Sequence, residues 1–138
     1  VDNAAFVAKL ELKSCTTDTL KMHGWKEGGH KHDPLYMYGT DAEQIRLMIE
    51  ADASLGERLH PDFPHIRAEV IWAVREEMAM TVEDVLARRL RILFLDARIA
   101  MELAPVVAGM MAGEMGKDVQ WIQDQLESFL ETAQGYLP

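Results

Sequence analysis

The sequence predicts an all-α fold: a bundle of about five or six helices preceded by an irregular connector. Over most of the chain after residue 40, apolar residues recur at helical spacing. Residues that cap helices stand in front of several of these periodic stretches, while glycine and proline interrupt the first part of the chain. With 138 residues, of which 49% are hydrophobic, the chain is long enough to bury one core.

The first 39 residues predict a short amphipathic helix followed by the connector. Phe6, Val7 and Leu10 recur at helical spacing within residues 1–12. No period persists in residues 13–39, which contain several glycines and a proline. A connector of this length is uncommon inside a compact domain, and it indicates a linker or a loop that serves a neighbouring domain.

Two helices are expected next. Thr40 and Glu43 have the spacing of a reciprocal capping box, which predicts a helix that begins there and reaches about Leu59. Pro61 and Pro64 prevent its continuation. A further helix is predicted over residues 64–78, and its expected buried face consists of Ile66, Val70, Ile71, Trp72, Val74 and Met78.

A second capping pair, Thr81 and Asp84, predicts the start of another helix. Its expected buried residues are Val82, Val85, Leu86 and Leu90. Residues 93–95 are apolar on every side, which predicts either a turn or a fully buried segment near Ile92.

The last part of the chain predicts a helix over residues 96–103 and a final helix after Asp118. Pro105 fits either the first turn of a helix or a kink in a longer one. Gly116 predicts a left-handed stop at a helix end. The apolar face of the final helix is expected to consist of Trp121, Ile122, Leu126, Phe129 and Leu130.

Composition and charge argue against several kinds of partner and against a place within the membrane. A net charge of −9 argues against nucleic acid and against anionic membrane surfaces as partners. No apolar run approaches the roughly 20 residues of a transmembrane helix. Cys15 is the single cysteine, which excludes an internal disulfide and fits the cytoplasm. Because the chain begins at Val1 without an initiator methionine or a signal sequence, it is expected to be part of a longer protein.

The connector contains one candidate metal site. His30, His32 and Asp33, with His23 nearby, offer two imidazoles and a carboxylate to a divalent ion. The alternative is a flexible polar loop, because the glycines beside these residues do not provide the rigid support that a metal site needs. We therefore expect no metal here. The glycine pair also lacks the lysine and hydroxyl of a phosphate-binding loop, so no nucleotide site is expected either.

Charged residues in the middle of the chain predict a structural ion-pair network of Asp84, Arg88, Arg89 and Asp96. Asp84 and Arg88 are four residues apart, the spacing at which opposite charges meet on a helix. An anion site is the alternative interpretation. Acids and bases are balanced in number over residues 67–98, which favours the network.

Methionine is abundant, with nine in the chain. Met78 and Met80 form one cluster, and Met110, Met111 and Met115 form another. Their helical spacing predicts core packing. The alternative is an adaptable groove, and on that interpretation the chain is an autonomous helical adaptor that binds a helix of another protein.

Three consecutive motifs resemble a known family. They are AEVIWAVREEMA at residues 68–79, TVEDVLARR at residues 81–89 and FLDAR at residues 94–98, with weaker support from residues 20–24, 38–42 and 105–108. Together they resemble the C-terminal helical domain of FAD-dependent glycerol-3-phosphate dehydrogenases and α-glycerophosphate oxidases. Leu90 departs from the pattern, because many relatives carry threonine after the paired arginines.

The resemblance implies a longer enzyme that oxidises sn-glycerol 3-phosphate to dihydroxyacetone phosphate and passes electrons through FAD to quinone or oxygen. It implies that residues 1–39 are the end of a flavin-domain helix and a connector, and that residues 40–138 are a helical cap domain. The flavin motif and the substrate site belong to the flavin domain, so no catalytic, cofactor-binding or metal-binding residue is expected in this chain. The expected partners are the flavin domain and another subunit, in the cytoplasm or at the cytoplasmic face of the membrane.

Overall fold

A computed structural model describes residues 2–9, 16–28 and 33–137. Over these residues the fold is all-α and contains no strand longer than an isolated bridge, so the predicted fold class is confirmed. The α-helices are α1 (Asp2–Val7), α2 (Ala42–Ala51), α3 (Arg67–Glu76), α4 (Ile92–Leu95), α5 (Ala97–Met115) and α6 (Val119–Gln134). Two 3₁₀ turns, Tyr36–Asp41 and Ala53–Gly56, and a π-helical segment, Asp84–Arg89, lie between them.

Helix α2 differs from its prediction at both ends. The capping box of Thr40 and Glu43 does not form, because the preceding 3₁₀ turn runs directly into the helix and no side chain caps its first amides. The predicted extension to Leu59 is also wrong. Asp52 adopts extended backbone, and its carboxylate accepts bonds from the amide and the hydroxyl of Ser54 at 3.0 and 2.7 Å, which starts a separate turn.

Helix α3 buries most of the expected face but ends early. Val70, Ile71 and Trp72 are buried, as predicted. Met78 is 82% exposed, which contradicts its predicted place in the core. The reason is that the helix stops at Glu76 and Met78 takes a left-handed conformation with φ of 55°, which turns the chain away from the helix axis.

The capping pair of Thr81 and Asp84 forms as predicted. The Asp84 amide donates to the Thr81 hydroxyl at 3.1 Å, and the Thr81 amide donates to the Asp84 carboxylate at 3.0 Å. The segment that follows buries all four predicted apolar residues, but it continues as a π-helix in which the Leu90 amide bonds to the Val85 carbonyl at 2.9 Å.

The turn predicted near Ile92 is present, with Arg91 in the left-handed conformation. Ile92 and Leu93 are buried in α4, whereas Phe94 and Leu95 are exposed. A turn therefore describes this region, and the alternative of a fully buried segment is wrong for its second half.

Helix α5 is longer than predicted and passes through Pro105. Proline in a helix interior costs roughly 3 kcal/mol. Buried Leu103, Ala104, Val107 and Ala108 flank it on both sides, and their packing outweighs that cost. The predicted stop and cap are confirmed: Gly116 has φ of 63°, and the Asp118 carboxylate accepts from the Trp121 amide at 2.9 Å.

Two hydrophobic clusters share α3. Val70 and Ala73 belong to the larger cluster, which α4, α5, α6 and the π-helical segment complete. Ala68 and Trp72 belong to a smaller cluster with Ala42 and Ile45 of α2 and with Leu35 of the connector. The second cluster thus fixes the end of the connector against the helices.

Candidate functional site

The connector contains a segment that is held on the amino-terminal end of α2. We call residues 20–28 the strap. The Gly24 carbonyl of the strap accepts a bond from the Thr40 amide at 3.1 Å, and His23 Nε2 lies 2.8 Å from Asp41 Oδ2. Within the strap, the Lys21 ammonium lies 4.3 Å from the centre of the Trp25 ring, a cation–π contact. These contacts give the strap a defined conformation.

A cleft of about 460 Å³ opens beside the strap. Its lining includes Gly24 and Lys26 of the strap, and Tyr36 and Met37 of the following 3₁₀ turn. Asp33 lies at its edge, where its carboxylate pairs with Arg46 of α2. The Leu35 amide and the Arg46 guanidinium together hold the pKa of Asp33 below its usual value. The cleft therefore joins an apolar surface to an ion pair that is already satisfied.

Glu69 of α3 is a buried carboxylate that joins three segments. Its oxygens accept from the Tyr38 hydroxyl at 3.0 Å and from the Ile66 amide at 2.7 Å, and His65 Nδ1 lies 3.1 Å away. Burial, followed by the negative charge of Glu69, raises the pKa of Tyr38, so the phenol stays protonated and donates. The arrangement links the connector and residues 57–66 to α3.

The predicted network of Asp84, Arg88, Arg89 and Asp96 divides into separate contacts. Arg88 pairs with Asp84 at 3.0 Å and with Glu83 at 2.7 Å. Asp84 Oδ2 also accepts from the amides of Met80 and Thr81 and from the Thr81 hydroxyl. Partial burial would raise the pKa of Asp84, but these bonds and Arg88 together lower it.

The other two members of the predicted network lie elsewhere. Arg89 pairs with Glu77, at 3.1 Å from its carboxylate and 2.6 Å from its carbonyl. Asp96 caps α5 by accepting from the amides of Arg98 and Ile99 at 2.9 and 3.2 Å. The structure therefore brings only Asp84 and Arg88 together, and the role of all four residues as structural groups stays a prediction.

His30 and His32, which carried the metal hypothesis, lie outside the described residues, as does Cys15. Within the described part of the chain, no three histidine, cysteine or acidic side chains are grouped so that they could hold a metal ion. None of the described helices is long and apolar enough to cross a membrane.

The methionine clusters have different environments. Met111 is fully buried, and Met110 and Met115 pack against the same core. Met78 and Met80 are exposed. The cluster in α5 thus fills the bundle, while the other cluster lies on the surface.

Sequence reasoning missed the Gly24 contact, the Glu69 site and the Arg75 pair with Glu114, which joins α3 to α5 at 2.5 and 2.9 Å. A local signal existed for Glu69, because an acid three residues after a helix cap often bonds back to the cap amide. The residue at the cap position is Ile66, which is not a residue type that caps helices, so the sequence does not reveal a capping box with Glu69. The other contacts have no local signal.

Comparison with known proteins identifies a matching family model and several curated relatives. A family model for the C-terminal domain of alpha-glycerophosphate oxidase matches residues 13–122. The chain is 42% identical over 104 residues to a probable mitochondrial glycerol-3-phosphate dehydrogenase of Caenorhabditis elegans, a match that covers 72% of this chain and 14% of that protein. It is 34% identical over 106 residues to the mitochondrial glycerol-3-phosphate dehydrogenase of Homo sapiens, with the same coverage of 72% and 14%.

The mitochondrial glycerol-3-phosphate dehydrogenase of Bos taurus is 33% identical over 104 residues, again 72% of this chain and 14% of the relative. No solved structure matches. The chain thus spans about a seventh of the length of these curated relatives. Since the family model covers most of the sequence, the chain belongs to the family of the C-terminal domain of alpha-glycerophosphate oxidase.

Proposed function

We propose that this chain is the C-terminal accessory domain of an FAD-dependent glycerol-3-phosphate dehydrogenase and that it supplies no catalytic group. The full-length enzyme would oxidise sn-glycerol 3-phosphate to dihydroxyacetone phosphate, with electrons passed through FAD to quinone or oxygen. The observation that carries the proposal is the match to the C-terminal domain family, together with relatives named glycerol-3-phosphate dehydrogenase of which the chain spans 14%.

The use of the charged side chains supports an accessory role. A site for FAD or for a phosphate ester needs cations and amides that are free to bind phosphate oxygens. Arg46, Arg75, Arg88 and Arg89 are each paired with acidic side chains of this chain. The carboxylates of Asp84, Asp96 and Asp118 already occupy the amides at three helix starts. These residues do not fit an FAD site, so we assign the flavin and the substrate to the rest of the enzyme.

The domain would then act through packing, by stabilising the flavin-binding portion or by contributing to assembly. Its division at residue 39 into a connector and a cap stays part of this proposal. The alternative, an autonomous adaptor with a methionine-lined groove, is less well supported, because Met110, Met111 and Met115 are used in the core.

Location is a separate proposal. The word mitochondrial belongs to the names of the relatives. For this chain, we retain the cytoplasm, with the full-length enzyme at the cytoplasmic face of a membrane. Fractionation of cells that express the tagged full-length protein tests this proposal, and recovery within a closed organelle contradicts it.

Deletion of residues 40–138 from the full-length enzyme tests the accessory role. FAD content, turnover of glycerol 3-phosphate per bound flavin and oligomeric state are compared with the intact enzyme. We expect stability, flavin retention or assembly to fall while turnover per bound flavin is kept. The proposal is wrong if turnover per flavin collapses in a folded, flavin-loaded protein and if Arg88→Ala or Arg89→Ala reproduces that collapse without loss of stability.

A further inference from the structure

We propose that the connector carries the docking face for the larger amino-terminal portion of the full-length protein. We call this surface the connector face and define it by Leu20, Met22, Trp25, Tyr36 and Met37. The inference rests on the proposed function, because it takes the chain to be one domain of a longer enzyme, and it names the surface through which that domain meets its neighbour.

The five apolar side chains of the connector face are exposed to solvent. Leu20, Met22 and Met37 are 62%, 75% and 86% exposed, and Trp25 and Tyr36 are 46% and 40% exposed. Single exposed apolar residues are ordinary on protein surfaces, whereas a group of large ones marks an interaction site. All five belong to a short part of the chain, so the connector is much more apolar at its surface than a solvated linker would be.

Part of the connector face borders a cleft. Tyr36 and Met37 line the same cleft of about 460 Å³ as Gly24 and Lys26 of the strap. In the chain, Trp25 lies between these two strap residues, so the strap and the 3₁₀ turn that carries Tyr36 and Met37 meet at this cleft. A cleft of this size accepts an inserted apolar side chain, which is the usual form of an anchor at a protein interface.

Contacts with the rest of the domain hold the strap in one conformation. The strap is fixed by the bond from the Thr40 amide to the Gly24 carbonyl and by the contact between His23 and Asp41. The Trp25 amide also bonds to the Met22 carbonyl at 3.0 Å, and that turn presents both side chains. A surface that is already ordered loses less conformational entropy when a partner binds. The strap part of the connector face is therefore ordered before a partner binds.

The proposed occupant is the amino-terminal portion of the full-length enzyme. The matched family is a C-terminal domain, and the relatives are about seven times as long as the segment that matches. On the proposed function, a large amino-terminal portion therefore belongs to the same polypeptide. Helix α1 precedes the connector and carries Phe6 and Val7, which are 84% and 80% exposed. Exposed apolar side chains therefore also precede the connector in the sequence. Because the domain and the amino-terminal portion are tethered, their effective concentration is high and a modest interface suffices.

Methionine oxidation in the full-length protein tests the inference. Dilute hydrogen peroxide transfers one oxygen atom to each accessible methionine sulfur and leaves water, and mass spectrometry gives the rate at each position. Met78 and Met80, which are 82% and 58% exposed, are internal controls that belong to a different part of the sequence from the connector. We expect Met22 and Met37 to react several-fold more slowly than these controls, because a docked partner removes both sulfurs from the oxidant. Equal rates at the four positions overturn the proposal, and so does protection of all four.

A paired set of variants identifies the occupant. In the full-length Trp25→Ser, Met37→Ser protein we expect oxidation of Met22 to accelerate toward the rate of Met78, whereas Met80→Ser should leave Met22 protected. The rates are repeated on dilution while light scattering reports the oligomeric state. Protection that disappears as an oligomer dissociates identifies a second copy as the occupant and overturns the proposal.

Flavin content and turnover of glycerol 3-phosphate in the same preparation report on the proposed function separately. A protein with protected Met22 and Met37 but without that turnover contradicts the proposed function and retains the docking face. An active enzyme in which Met22 and Met37 oxidise as fast as Met78 supports the proposed function and contradicts the docking face.

Discussion

Gly39 passes so close to Gly24 that a Cβ atom on Gly39 would lie 1.7 Å from the Gly24 carbonyl oxygen. Both glycines have positive φ, 55° for Gly39 and 79° for Gly24. The Thr40 amide then bonds to the same carbonyl at 3.1 Å. Glycine at position 39 therefore allows two distant parts of the connector to touch, and this contact sets the position of the strap against α2.

We predict that Gly39→Ala separates the strap from α2. The new methyl group cannot fit against the Gly24 backbone, and Gly39 has φ of 55° with ψ of −120°, a conformation that glycine adopts much more readily than alanine. Gly28→Ala is the matched control, because Gly28 also has positive φ, 69°, but has no neighbouring atom within 4 Å of its Cβ position. Thermal unfolding and exchange of the Thr40 amide are measured in both. Equal effects contradict the steric account.

The two kinds of contact in this fold explain how much of it the sequence could predict. Thr81 with Asp84, and Asp118 with the amide of Trp121, are bonds between residues three apart, so spacing and residue type predicted them. The same spacing at Thr40 and Glu43 predicted a capping box that does not form, because a 3₁₀ turn runs directly into α2. Gly116 likewise acts on its own helix end. These local signals, together with the helical spacing of apolar residues, predicted that the fold is helical and in which order its main helices occur.

Contacts between distant residues could not be predicted in this way. Gly24 with Thr40, Tyr38 with Glu69, and Arg75 with Glu114 depend on how separate elements pack. Met78 shows the same limit, since the apolar period continues through it although the backbone turns. The candidate site is made mostly of such contacts, which is why a connector that looked irregular contains the ordered strap.

Asp84 and Arg88 should differ in their effect on stability, although they form one ion pair. Asp84→Ala removes the acceptor of two backbone amides and one hydroxyl, for a cost of about 1 to 2 kcal/mol. Arg88 has a side chain that is 51% exposed, so Arg88→Ala should cost less than about 1 kcal/mol. Thermal unfolding of both variants checks this order. Equal losses would show that the ion pair, and not the cap, carries the stability.

Glu77→Gln should be neutral or stabilising at neutral pH. Burial raises the pKa of Glu77 above its usual 4.5, and this effect exceeds the opposite effect of Arg89. A group whose pKa is raised on folding favours the folded state at low pH, and this contribution is lost as the pH rises through the folded-state value. The wild-type protein should therefore lose stability relative to the variant as the pH increases from about 4 to 7. Urea unfolding across this range measures the difference, and a variant that is clearly less stable at pH 7 contradicts the prediction.

The last prediction concerns Glu69 and Tyr38, whose bond ties the connector to α3. Glu69 is only 4% exposed and accepts from the Tyr38 hydroxyl and the Ile66 amide. Tyr38→Phe removes one bond to a charged group, for about 1.5 to 3 kcal/mol. Glu69→Ala leaves both the Tyr38 hydroxyl and the Ile66 amide without their acceptor, so it should cost more than Tyr38→Phe, at about 1 to 3 kcal/mol for each donor.

The double variant Tyr38→Phe, Glu69→Gln separates the bond from packing, since both substitutions keep the size of the side chain. If the bond is direct, the two losses are not additive, and their coupling should exceed about 0.5 kcal/mol in urea unfolding. Tyr36→Phe is the matched control, because Tyr36 is 40% exposed and lies in the same turn, so it should show no coupling to Glu69→Gln. Additive losses for Tyr38 would mean that Glu69 holds only its own helix start. The connector would then be fixed by its apolar contacts, by the Gly24 contact and by the pairs of His23 with Asp41 and of Asp33 with Arg46.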